Sequence, residues 1–481
     1  MEGKLTQRHI LEIPEESNEI EFKRVGGNDS SVVGNILKTV VAMANTNGGV
    51  IVLGVDDPEK TKLKGVERVF GVEENKENFD EVMRGLSKIT PVPTVISDEV
   101  VASNGKTIVV LRISKAVDSF CSRDDKVFTR LSKSNKELNL QEIIKFNYAK
   151  GFIKAGEELI DDVDIGLLET DHYRGWVKKN TLDPDSEGIA YVLKSKGLAK
   201  KDEETNVLKP TRSAVMLFAE YPTNLMDTKC AVKVAVYTTN TEVFSTTPNF
   251  VGVPKIIQGP MIKIIQDTQE YVLEVLNAGI GMSGSGFRTK SKLPERVITE
   301  GITNAVIHRD YHAKQDIEIK IFPNRVEVIN PGLFPFNITK GNIGEENAGQ
   351  YRNDSLVKTL REFPEPPNLD RNEGVRAMRN QMKKNNLYPP VFVTYPDLDK
   401  RSVKLVLKTE ERTAEWEKVQ EYLEREKSVD NKTARKITGI TSAVKMSRML
   451  GGWATEGLLE KISPVGSKKG TLYILPSKKI I

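Results

Sequence analysis

Cysteine is nearly absent. Cys121 and Cys230 are the only two in 481 residues, far apart and outside any metal-ligand spacing, so neither a disulfide framework nor a zinc finger is expected. A reducing, cytoplasmic setting is the expectation that follows. Histidine is scarce as well, with four residues, and His9, His172 and His312 belong to no partner pattern. Nowhere do about eighteen apolar residues run together, and the opening Met-Glu-Gly-Lys-Leu-Thr-Gln-Arg-His lacks the apolar segment of a leader. Neither secretion nor membrane spanning is expected. A phosphate loop is missing too: Gly279, Gly281, Gly284 and Gly286 are followed by Phe287-Arg288-Thr289-Lys290, where Gly-Lys-Ser/Thr would have to open a helix. That stretch reads as a connecting loop.

What is present is the composition of a soluble globular protein, 38% hydrophobic and 29% charged, which excludes wholesale disorder. A chain of this length implies three or four domains. The formal charge of +4 hides an asymmetry: residues 431–481 carry ten Lys or Arg against Glu456 and Glu460, a net of +8, which leaves −4 for the first 430 residues. A basic terminal module beside a mildly acidic body is the electrostatic footprint of polyanion binding, with a solvated lysine-rich terminus as the plainer alternative.

Residues 16 to 23 read Glu-Ser-Asn-Glu-Ile-Glu-Phe-Lys. On a strand, alternation puts Glu19, Glu21 and Lys23 on one face and Ile20 and Phe22 on the other. Val33, Ile36, Leu37, Val40, Val41 and Ala44 then follow helical spacing over 31–45, stopped by Asn45-Thr46-Asn47-Gly48-Gly49. A buried strand over Val50 to Val55 ends at Asp56-Asp57. A helix near 76–89 and strands near 93–102, 107–113 and 127–131 complete an α+β first domain. Further strands are expected at 212–219 and 230–238, a helix at Leu293–Ile307, and a hairpin from Ile317–Phe322 and Val326–Ile329. Near the C-terminus, helices over 413–427, 432–438 and 442–455, followed by a hairpin over 462–475 with its tip at 466–470, spell a winged helix-turn-helix. Val444, Leu450 and Trp453 are expected to face inward and Lys445 and Arg448 outward, with Lys468 and Lys469 on the wing, as nucleic-acid contacts. The same module could serve dimerisation.

Glu16 to Lys23, the helix after them, Ala44-Asn-Thr-Asn-Gly-Gly49 and Gly54-Val-Asp-Asp57 resemble the AlbA-type domain shared by Schlafen proteins and many prokaryotic regulators. The resemblance covers about residues 10–140. In the nuclease members two glutamates and an aspartate form a metal-dependent RNA-cleaving site, and the matching positions here are Glu16, Glu21 and Asp57, accompanied by Lys23. Such hard oxygen ligands suit Mg²⁺ or Mn²⁺. The bland alternative is a set of turn caps and a strand-surface ion pair. Since the resemblance extends to regulators, it implies either a nuclease acting on tRNA-like substrates, in roles such as antiviral defence, or a non-cleaving nucleic-acid binder.

A second resemblance lies in Pro294-Glu-Arg-Val-Ile-Thr-Glu300-Gly-Ile-Thr-Asn304-Ala-Val-Ile-His308-Arg-Asp-Tyr311 and Asn330-Pro-Gly332. These look like the ATPase-like domain similar to the RecG helicase C-terminus, a fold akin to GHKL ATP-binding proteins. It implies that Glu300 polarises water, that Asn304 binds Mg²⁺, and that Asn330, Gly332 and Gly374 contact ATP. Asn330 stands where relatives carry an acidic adenine contact, and Asn372-Glu-Gly374 has one glycine where many have two. His308-Arg-Asp310 is not a kinase catalytic loop, because no Asn follows at the required spacing.

The architecture expected is therefore α+β and multidomain: an AlbA-type domain over 1–145, a connecting α/β region over 146–290, a GHKL-like α/β sandwich over 291–410, and a winged helix over 411–481. The function expected is a metal-dependent endoribonuclease with a nucleotide-binding domain. The alternatives are an ATP-responsive DNA-binding transcriptional regulator and an oligomerising scaffold. A homo-oligomer is expected.

Overall fold

The computed structural model describes residues 6–13, 15–26, 31–180, 188–243, 249–282, 288–289, 291–335, 338–344, 351–367, 374–398, 400–462 and 471–476. The expected wing tip with Lys468 and Lys469, residues 283–287 of the glycine-rich stretch, and Asn372 and Glu373 lie outside the described residues, while Ile280–Met282 and Arg288–Thr289, expected in a connecting loop, pair as antiparallel strands. The chain divides into two compact units, one built from 1–147, 336–341 and 413–481, the other from 148–335 and 342–412.

The first unit is organised by a four-stranded sheet in the order Ile20–Lys23, Gly49–Leu53, Thr107–Ile113, Val95–Val101. The first pair is parallel and the rest antiparallel. Gly49–Leu53 is buried along its whole length, which requires cover on both faces. Alternation divides its side chains accordingly. Ile51 and Leu53 pack with the helix Ser31–Ala44, through Val33, Ile36, Leu37, Val40 and Val41. Val50 and Val52 pack the other way, with Ile10, Ile13, Phe22 and, from the far end of the chain, Ile474. Residues from the C-terminal stretch thus complete the back face of the strand that carries Glu21 and Lys23.

That C-terminal stretch consists of the helices Ala414–Arg425, Asn431–Thr438 and Ala443–Thr455, with a three-stranded antiparallel sheet from Val429–Asp430, Leu472–Ile474 and Glu460–Ile462. Each helix starts at a side-chain cap: Thr413, Asp430 and Ser442 accept the N–H of Trp416, Thr433 and Lys445, satisfying donors that a helix leaves unpaired. Trp416 and Trp453 meet edge to face at 5.2 Å over a core of Val419, Leu423, Met446 and Leu450. The expected inward set needs one correction. Met446, Leu450 and Trp453 face the core at i, i+4 and i+7, whereas Val444 is 70% exposed, because two residues before Met446 is the opposite side of the helix.

The second unit has a six-stranded mixed sheet in the order Lys255–Ile257, Val232–Val236, Ile317–Phe322, Arg325–Pro331, Ser402–Lys408, Val391–Thr394. Its helices include Met261–Ala278, Glu295–His308 and Gly374–Lys384. Val232–Val236 pairs in parallel with Ile317–Phe322, so the boundary expected at 290 runs through a single sheet. Residues 212–219, expected as a strand, form the helix Arg212–Phe218, buried from Ser213 onward. A short apolar run buried all round has no period to decide between strand and helix. Thr211 decides it by accepting the Ala214 N–H.

Candidate carboxylate and nucleotide sites

Ile20–Lys23 is an edge strand, so the N–H of Phe22 points away from its neighbour. Glu16, in the turn just before, fills that position: its Oε1 accepts the Phe22 N–H at 2.8 Å. Glu21 and Lys23 project from the face opposite Phe22, with Lys23 Nζ 2.5 Å from Glu21 Oε1 and 4.0 Å from Glu16 Oε1. Asp57 arrives from the exit of Gly49–Leu53, held in a turn by the Glu59 N–H at 2.9 Å and by Lys60 Nζ at 2.8 Å. Glu16, Glu21 and Asp57 are all buried.

Their electrostatics tie the three together. Burial raises the Glu16 carboxyl above its ordinary range, Glu21 raises it further and Asp57 adds to this, against the Phe22 N–H and Lys23. For Asp57 burial acts upward, but the hydrogen bonds from Lys60 and the Glu59 N–H outweigh it and hold the group below its usual range. The four residues expected at this site therefore feel one another's charge.

Three basic residues that sequence reasoning missed complete the constellation. Arg130, fully buried, donates to Glu21 Oε2 at 2.8 Å. Lys60 holds Asp57, and Lys133 bridges Glu15 and Glu59 at 2.9 and 2.7 Å. Arg130 lies in the alternating Val127-Phe-Thr-Arg-Leu131, where a charge in a buried strand was itself a signal, because such a group demands partners. Among the described residues no group of three or more His, Cys, Asp or Glu side chains is set to hold a metal ion. The carboxylate oxygens are turned instead toward ammonium and guanidinium groups. All three side chains are nonetheless hard oxygen donors, the type a divalent cation takes, and burial, then the Glu21 charge, raises Glu16.

In the second unit, Glu300, Asn304 and His308 fall at i, i+4 and i+8 on one face of Glu295–His308. Asn304 Nδ2 donates to Glu300 Oε1 at 2.8 Å. Gly374, opening its own helix, lies against this pair: a Cβ there would sit 1.9 Å from Glu300 Oε1 and 3.2 Å from Asn304 Nδ2, so no other residue fits unmoved. Gly332, at φ +111°, lies against Asp310 and the Arg352 guanidinium, where a Cβ would stand 3.0 Å from Asp310 Cβ. The Pro331 carbonyl accepts the Asp310 N–H at 2.9 Å. Asn330 Oδ1 is sealed from solvent with no partner, an acceptor of the kind an exocyclic amine would use. Of the five residues expected around a nucleotide, Glu300, Asn304 and Gly374 thus lie together, and Gly332 lies against Asp310, two residues past the end of the same helix.

The sequence offers His308, with Arg309, Asp310 and Tyr311, as an anchor of this site. The His308 ring stacks on Tyr351 with centroids 5.5 Å apart, and its Nδ1 is sealed without a partner. Burial and then the nearby Arg352 push its pKa down to about 4, so the imidazole is neutral near pH 7. Arg352, buried between the Tyr148 and Leu333 carbonyls that accept its N–H groups, is itself lowered to about 10 by burial. On the C-terminal helices, Lys445 and Arg448 are exposed as expected.

With this geometry in hand, residues 16–139 match the family described as Schlafen, AlbA_2, and residues 314–405 match the one described as "Putative ATP-dependent DNA helicase recG C-terminal". The chain carries a Schlafen AlbA_2 domain and a RecG C-terminal-like domain. The first match spans Glu16 through Arg130. The second includes Asn330, Gly332 and Gly374 and begins beyond Glu300 and Asn304. No curated protein matches the sequence. Among solved structures, the crystal structure of the DIP2311 protein from Corynebacterium diphtheriae is similar over 95% of this chain and 79% of that one, at 15% identity and a TM-score of 0.39. Among the described residues no helix is long and apolar enough to cross a membrane.

The depressed His308 pKa sets a sign for acid stability. A group lowered on folding contributes stability that is complete above its unfolded value, near 6.5, and is lost as pH falls through about 4. With His308 half-buried as a whole residue, the second unit is expected to lose about 2 kcal/mol across that window. Denaturant unfolding at pH 7 and pH 4.5 checks this, with His308→Gln expected to flatten the difference and an unaltered pH dependence contradicting the assignment.

Proposed function

We propose that this nucleic-acid-related, ATP-linked protein is a metal-dependent endoribonuclease acting on structured RNA such as tRNA. The observation that carries the reading is the burial of Glu16, Glu21 and Asp57 within reach of one another's charge, beside Lys23. Glu16, Glu21 and Asp57 would hold a Mg²⁺ or Mn²⁺ ion. Such an ion, when bound, supplies charge neutralisation at a phosphodiester and lowers the pKa of a coordinated water.

The chain's own residues do the rest. Lys23, a quarter exposed and seated on Glu21, would present its ammonium to the incoming phosphate once a bound cation shared the charge of the carboxylates. Lys60, with its side chain 74% exposed on Asp57, offers a second cation at the mouth of the site. In the other unit, Asn304 with Glu300 and Gly374 would take the triphosphate and its Mg²⁺, and Asn330 and Gly332 the base. The amide oxygen of Asn330 replaces the usual carboxylate as acceptor without adding charge.

The test is incubation of the purified chain with tRNA and Mn²⁺. Cleavage is expected, falling at least about a hundredfold in Glu21→Gln, since the ion's charge stabilisation is worth several kcal/mol. Intact RNA, or cleavage equal in the variant, would count against the reading.

A second reading is favoured by a different observation. The three C-terminal helices and their sheet have the order of a winged helix, and Lys445 and Arg448 stand exposed on the helix that would enter a groove. On this reading the protein is an ATP-responsive DNA-binding regulator, acting as a homo-oligomer without cleavage. The two readings share a phosphate-contacting module. Replacing Lys445 and Arg448 by Ala is expected to lower the slope of log affinity against log salt by about two, one per phosphate contact. Duplex DNA and RNA titrations over a salt series measure it, and a slope equal to that of wild type would remove both residues from the interface.

A further inference from the structure

The strands Phe128–Leu131 and Ser134–Glu137 form a two-stranded hairpin whose residues reach the carboxylates from a part of the chain more than seventy residues away from them. Arg130 is the hub. Its Nη2 donates to the Ser17 carbonyl at 3.0 Å and to Glu21 Oε2 at 2.8 Å, its Nε to the Asn18 carbonyl at 3.3 Å, and its Nη1 to Asn135 Oδ1 at 2.8 Å. One planar fork therefore fixes the turn after Glu16 and the Glu21 carboxylate at once. An ammonium could not span these partners, since it is a single point on a flexible stem.

Lys133, from the turn of the same hairpin, works on the second half of the site. Its Nζ meets Glu15, the neighbour of Glu16, and Glu59, whose N–H holds Asp57 Oδ1. It therefore strings the Asp57 turn to the Glu16 segment. The hairpin is itself anchored by the Asn-Thr motif at the end of the long helix. Asn45 Nδ2 donates to the Cys121 and Phe128 carbonyls at 2.8 and 2.9 Å, and Thr46 Oγ1 accepts the Arg130 N–H at 2.8 Å. Asn135 Nδ2 closes the frame by donating to Thr39 Oγ1 at 2.9 Å.

We propose that this hairpin is the positioning element of the carboxylate site, with Arg130 setting Glu21 against Glu16 and Lys133 setting Asp57 against both. The proposal rests on the metal-site reading above. Neither residue touches the reacting atoms; both are positioning residues that act through the carboxylates they hold.

The test measures Mn²⁺ binding to the full chain by electron paramagnetic resonance, beside thermal melting, in wild type, Arg130→Gln, Arg130→Lys, Lys133→Ala and Lys133→Arg. Loss of a group that orients metal ligands costs about ten- to a hundredfold in affinity. That loss is expected in Arg130→Gln and Lys133→Ala, with Lys133→Arg close to wild type and Arg130→Lys between. For RNA cleavage the kcat should fall while KM holds, because the carboxylates act at the chemical step. Lys133 is 39% exposed, so Lys133→Ala is expected to melt with wild type and decides the matter if Arg130→Gln fails to fold. Wild-type Mn²⁺ affinity in Lys133→Ala and in folded Arg130→Gln overturns the proposal while leaving the metal site standing. Absence of Mn²⁺ binding by wild type overturns both, and is read from that arm alone.

Discussion

Three buried carboxylates of like charge, two at an edge strand and one past the end of its neighbour, are the constraint around which the first unit is arranged. Such groups do not stay ionised together without compensating cations and directed hydrogen bonds. The chain supplies both from several places: Lys23 from the same strand, the Phe22 N–H from the exposed strand edge, Lys60 from the turn after Asp57, and Arg130 from a hairpin distant in sequence. An arrangement that needs four separate compensations is poor as a device for stability, since well-packed apolar side chains would do as well or better. Its retention makes sense where the charge itself is used.

The back face of the same strand connects this electrostatic problem to the C-terminal helices. Phe22 lies between Glu21 and Lys23 in sequence and in one apolar cluster with Ile10, Ile13 and Ile474. Ile474 thus shares a cluster with Phe22, the neighbour in sequence of Glu21. The C-terminal helices thus belong to the same compact unit as the acidic residues. In the other unit the same economy appears along a single helix, Glu295–His308, which presents Glu300 and Asn304 toward Gly374 and ends where Asp310 and Arg352 lie against Gly332.

Much of this was legible in the residues, and the failures have physical causes. The helix Ser31–Ala44 and the strand Gly49–Leu53 follow from unambiguous periods, and the i, i+4 pair Glu300 and Asn304 from helical spacing. Arg130 and Lys133 were not found because their partners lie more than seventy residues away, and no local pattern records a pairing that the fold alone creates. Val444 was turned the wrong way because the phase of a short helix depends on where it starts, which Ser442 fixes. Residues 212–218 lacked a period altogether. The Asn-Thr motif after the long helix was visible as a helix stop, but its larger work, docking the hairpin that carries Arg130, shows only once Asn45 meets Cys121 and Phe128.

The central claim is that Glu16, Glu21 and Asp57 share one divalent cation. Anomalous diffraction from crystals of the full chain soaked in Mn²⁺ addresses it directly. The account predicts a peak flanked by carboxylate oxygens of all three residues and the Lys23 ammonium withdrawn from Glu21. A map with no peak there, and Lys23 still seated on Glu21, would contradict it.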